Sequence, residues 1–86
     1  MTSLTIFIDA ARYASAKELH LALKLLLDLP EYYGCNADAL YDCLSERRGK
    51  PVNLTILSPG EGETAEALHK VVRVIEDLGG DTKIVD

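Results

Sequence analysis

Asp38, Tyr41, Asp42 and Ser45 are the side chains with the most chemistry to offer, and they recur at helical spacing. At about 100° per residue they project within about 60° of one direction. Ala39, Leu40, Cys43 and Leu44 project the other way and give the segment a core-facing side. Two carboxylates, an aromatic ring and a hydroxyl on one exposed face suit the recognition of something positively charged. Periodicity alone favours the plainer reading, a solvated helix face that happens to carry two acids.

Catalysis asks for a different arrangement. Carboxylates that work as acid and base flank a substrate, whereas Asp38 and Asp42 sit side by side on one short helix. His20 and His69 fall on separate predicted helices, with no Glu or Cys at metal-ligand spacing and no nucleophile at a recognisable distance. We therefore expect a binding protein rather than an enzyme, with no metal and no cofactor, and read His20 as a structural or solvated histidine.

The elements that must position this face follow from pattern. Leu4–Ile8 is β-branched and aromatic and predicts a first strand. Ser15 and Glu18 form a capping box that starts a helix expected to run to about Leu29 and to stop at Pro30. Its polar stripe is Lys17, His20, Lys24 and Asp28. Its apolar side is Leu19, Ala22, Leu23, Leu26 and Leu27, widened by Leu21 and Leu25. Pro30 and Gly34 bracket a turn holding Tyr32 and Tyr33. Asn36 suits the N-cap of the short helix that follows, and Asp38 in its first turn meets the positive end of the helix dipole.

Arg47, Arg48 and Lys50 then make the chain's only basic cluster. Val52–Leu57 alternates as a second strand. Ser58–Thr64 is a Gly- and acid-rich connector, expected to be mobile and lacking the spacing and the Lys of a phosphate loop. A last helix from about Ala65 to Leu78 ends at Gly79-Gly80, and Thr82–Val85 is a third strand. Strands separated by helices predict an α/β fold with a three-stranded parallel sheet packed against helices, as a single small domain over residues 1–86.

Composition narrows the partners. The 86 residues carry fourteen acids against nine bases, for a net charge of −5. That balance argues against nucleic acid, which needs a basic stripe, and favours a basic protein. No apolar run exceeds three residues, so no membrane span is expected, and the N-terminus lacks the regions of a signal peptide. Cys35 and Cys43 match no zinc pattern and are placed poorly for a bridge. Free thiols and a cytoplasmic location are the expectation, with a monomer in the absence of a partner.

The stretch Leu-Pro-Glu-Tyr-Tyr-Gly-x-Asn-x-Asp-Ala-Leu-x-Asp-Cys-Leu, Leu29 to Leu44 without a gap, resembles the signature of the barstar family, inhibitors of small secreted microbial ribonucleases. The likeness extends back through Leu19-His20 and on to Pro51. It implies a compact α/β fold with a three-stranded parallel sheet and a role in plugging a nuclease active site. By the same likeness Asp42 matches the family's central carboxylate, which replaces a substrate phosphate among the nuclease's cationic side chains. Asp38 matches a second acid, and Tyr32 a tyrosine that packs on the catalytic histidine. Tyr41 stands where the family's type member has Trp, and Ser45 where a Thr donates a hydrogen bond. The expected partner-binding set is thus Tyr32, Asn36, Asp38, Tyr41, Asp42 and Ser45, and the expected partner a basic extracellular-type microbial ribonuclease.

The chain departs from the pattern in three places. A further interfacial acid on the family's last helix falls on Val74, with Glu76 the nearest acid. Arg47 and Arg48 adjoin the inhibitory face, and the connector after the second strand is too short for the family's additional short helix. These departures keep a second possibility open: an interaction domain on the same scaffold that binds a different toxin or a regulatory protein.

Overall fold

Alternating burial along the strands shows how the layers meet. Ile6 and Ile8 of β1 (Leu4–Asp9) and Val52, Leu54 and Ile56 of β2 (Val52–Ser58) are buried, while Phe7 and Leu57 face outward. The computed structural model describes residues 4–46 and 51–85; the Arg47–Lys50 cluster lies outside them. β1 pairs with β2 in parallel register from Leu4 opposite Val52 to Ile8 opposite Ile56. β3 (Thr82–Ile84) joins the other side of β2, also parallel. Parallel neighbours need crossovers, and these place α1 (Ala16–Leu26), α2 (Ala37–Ser45) and α3 (Gly62–Asp77) against the sheet. Leu19, Leu23, Leu40, Leu68, Val71 and Ile75 meet the strand residues in one core. The expected α/β fold with a three-stranded parallel sheet is the fold observed.

The helix ends show where local pattern and tertiary structure part. Ser15 Oγ accepts from Glu18 N–H at 3.2 Å, as a capping box requires. The Glu18 carboxylate reaches the Ala14 N–H rather than its own cap. α1 then closes earlier than the expected Leu29. Asp28 takes a left-handed φ of 52°, Leu29 N–H bonds Lys24 C=O at 2.9 Å and Asp28 N–H bonds Leu25 C=O, the two bonds of a Schellman stop. The helical conformation is disfavoured at Leu29 because Pro30 follows, so the stop falls before it. Leu21, Leu25 and Leu26, read as apolar-side residues, are exposed, and His20, read as part of the polar stripe, is buried.

α3 starts earlier than expected, at Gly62 instead of about Ala65, which shortens the connector to residues 59–61. The reason is non-local. Glu63 Oε2 accepts from Ala16 N–H at 2.9 Å, which puts a carboxylate at the N-terminus of α1. Thr64 Oγ donates to the Tyr13 carbonyl at 3.1 Å. Gly60, at φ 73°, packs within 3.0 Å of Ala10 Cβ as measured from the position a Cβ would take, so the connector rests on the 3-10 turn Ala10–Arg12. At its far end α3 closes with a Schellman motif on Gly79, φ 91°, with Gly80 N–H bonding Ile75 C=O at 2.9 Å. Among the described residues no helix is long and apolar enough to cross a membrane.

Candidate functional site

A nine-residue helix is too short to hold itself together in water, so α2 depends on its cap and its buried side. Asn36 Oδ1 accepts from Ala39 N–H at 2.8 Å, and Asn36 Nδ2 donates to the Gly34 carbonyl. Leu40 and Leu44 are buried, each contributing on the order of 2 kcal/mol relative to exposure. Asp38, Tyr41, Asp42 and Ser45 are all exposed on the opposite side. The two-faced helix read from periodicity is present. Among the described residues no hydrogen bond or ion pair engages the Asp38 or Asp42 carboxylate.

The exposed Ser45 hydroxyl donates to the Asp42 carbonyl at 2.9 Å, within its own helix.

The loop before α2 separates two adjacent tyrosines. Tyr32 is 82% exposed and Tyr33 6%. Tyr33 N–H closes a turn on the Pro30 carbonyl at 3.0 Å, and its hydroxyl lies 2.6 Å from His20 Nδ1 on α1. The rings stand 5.9 Å apart between centroids at 51°. Burial pushes the His20 imidazole below its ordinary pKa. Burial first, and the nearby Cys35 and Cys43 thiols second, hold the Tyr33 hydroxyl well above its ordinary value. The Tyr33 hydroxyl donates to the Asn36 carbonyl at the α2 cap, at 3.4 Å, so a neutral His20 protonated at Nδ1 donates to the Tyr33 oxygen. This pair links α1, the Tyr32 loop and the start of α2. His20 is therefore structural, and its partner, thirteen residues away, is what permits its burial.

The last helix does not supply an acid at Val74. That residue is buried in the core, and Glu76 accepts from Thr82 Oγ at 2.7 Å, beside β3. What α3 brings to α2 is basic: Lys70 and Arg73 line an open cleft with Asn36, Ala37 and Asp38. Sequence reasoning missed both residues, although their i, i+3 spacing marks one side of a helix; only the packing of α3 beside α2 reveals their neighbour. Cys35 and Cys43 form no disulfide. Among the described residues no cluster of three or more His, Cys, Asp or Glu is placed to hold a metal ion. The arrangement offers an exposed acidic helix, a protruding tyrosine and a mixed-charge cleft. It is equipped for binding through charge and shape.

Residues 3–83 match the family model described as Barstar (barnase inhibitor). A curated relative from Bacillus subtilis (strain 168), named "Putative ribonuclease inhibitor YrdF", is 43% identical over 51 residues, 59% of this chain. The matched stretch spans 56% of that relative's length.

Proposed function

The chain belongs to the barstar family, and from that premise we propose that it is a proteinaceous inhibitor of a small, basic microbial ribonuclease. It acts by occupying the active site, with no bond made or broken. Asp42 stands for the substrate phosphate among the nuclease's cationic groups, Asp38 adds a second negative charge one turn away, and Tyr41 and Tyr32 supply aromatic contact on either side. Asn36 holds the helix start that aims Asp38. The observation that carries the proposal is the display, on the exposed face of a capped, core-anchored helix, of two carboxylates that engage nothing among the described residues, in a chain of this family. An acidic face on a chain of net charge −5 also speeds encounter with a basic enzyme. The nuclease–inhibitor pair from which the family takes its description is itself the reference case for such hot spots and steering, so the expected dominance of a few acids is borrowed from it.

Titrating the protein into small guanyl-specific microbial ribonucleases tests the proposal. Activity should fall to near zero at one equivalent for at least one enzyme and recover as salt is raised. Full activity throughout at stoichiometric protein would contradict it.

The burial of Val74 and the basic pair beside Asp38 favour a second possibility, a domain of the same family that binds another toxin or a regulatory protein. A complex indifferent to salt would point that way, because contact between an acidic face and a basic partner is screened by salt.

A further inference from the structure

Lys70 and Arg73 lie three residues apart on α3 and project from one side of it. The cleft they share with Asp38, Asn36 and Ala37 is open to solvent and has a volume of about 470 Å³. Among the described residues none of the three charged side chains is engaged in a hydrogen bond or ion pair, with each other or with anything else. Two bases and one acid thus face a single space, and all three remain available to a partner.

We propose that this cleft is a charge-selective extension of the binding face, in which Lys70 and Arg73 receive a carboxylate of the partner protein while Asp38 meets a base beside it. The proposal rests on the assignment of α2 as the ribonuclease-binding face and adds the kind of ribonuclease it fits. Lys70 and Arg73 together can grip one carboxylate while the partner's base offsets Asp38. A free phosphate would bring no such base and would face Asp38 as a like charge. The partner's rim therefore alternates, with a base and an acid one side chain apart. A rim carrying only bases meets Lys70 and Arg73 as like charges, and repulsion of that kind is how an interface rejects the wrong partner.

The test measures inhibition constants, at physiological salt, against two small microbial ribonucleases of similar net charge. One carries an acidic side chain at the rim of its active site; the rim of the other carries only bases. Wild type should favour the mixed rim. K70E/R73E should lose ~10-fold or more on the mixed rim and gain on the basic one, while K70Q/R73Q moves both enzymes the same ways by less. R12E/K83E, an equal charge change at exposed positions outside the cleft, should shift both enzymes together, reporting steering alone. If K70E/R73E also shifts both enzymes in parallel, the cleft selects nothing and the inference is overturned, with the parent proposal untouched. If wild type inhibits neither enzyme, the parent proposal falls and takes this one with it. Tight binding of inorganic phosphate, lost in K70Q/R73Q, would likewise overturn the carboxylate assignment.

Discussion

The two crossovers of this fold reach the same topology by different means. The second, from β2 through α3 to β3, turns its corners on glycine: the left-handed positions Gly60, Gly62 and Gly79 all lie there. The first, from β1 through α1 and α2 to β2, takes left-handed conformations at Asp28 and Cys35, with φ of 52° and 55°. A side chain in that region costs roughly 1–2 kcal/mol, and glycine avoids the cost. The expensive conformations flank the Tyr32–Tyr33 turn and the cap of α2, the segment that displays the candidate site. The inexpensive ones belong to the scaffold. Strain kept where a binding segment is shaped is a recurrent pattern.

The largest expected effect on stability falls on the scaffold. A Cβ at Gly80 would collide with the Val52 carbonyl and press on Ile75, so Gly80→Ala should cost about 3 kcal/mol. Denaturant unfolding would show it, and binding per folded molecule should stay unchanged. The site side should respond next. Tyr33→Phe leaves His20 Nδ1 without its partner and should cost about 1–3 kcal/mol, with weaker binding because Tyr32 and α2 lose their tie to α1. If stability falls and binding does not, the pair is only a core strut.

The same pair predicts a pH dependence. His20 has a folded-state pKa below its ordinary value, so the unfolded chain takes up the proton first. Stability is complete above an unfolded pKa of about 6.5. It declines as pH falls from there to the lower folded pKa, by at most about 1.4 kcal/mol per pH unit, and levels off below. Unfolding curves collected from pH 8 to 5 should show this slope in wild type and lose it in His20→Gln. The smallest effect sharpens the comparison of crossovers. Cys35→Gly should gain a little under about 1 kcal/mol, while Gly79→Ala, with open space around its Cβ position, should lose about 1 kcal/mol. Equal signs in a thermal or chemical melt would remove the distinction.

Local chemistry was legible in the residues themselves. Asn36 as a cap and the two faces of α2 need only neighbours within one or two turns, as do the alternating strands, and all appear as expected. Non-local compensation was not legible. His20 looked polar-faced because nothing near it in sequence announces that Tyr33 would meet it. Gly62-Glu63-Thr64 looked like loop because the bonds that make it helix run to Ala16 and Tyr13, 47 and 51 residues earlier. Pro30 placed the end of α1 about three residues too late: the helix ends at Leu26, and its stop is set by Asp28, whose left-handed φ has no strong sequence signature. The cleft was hidden for the same reason: Lys70 and Arg73 acquire meaning only beside Asp38. Pairing of polar groups across the fold is what composition and period do not carry.

The central claim is that the exposed acidic face of α2 makes the complex, with Asp42 foremost. The most direct measurement compares wild type with Asp42→Ala for affinity to an inhibited ribonuclease and for stability alone. Asp42 is exposed and its side chain engages nothing among the described residues, so the unfolding midpoint should hold while binding weakens by several kcal/mol, about a thousandfold or more. Unchanged affinity in the folded variant would contradict the account.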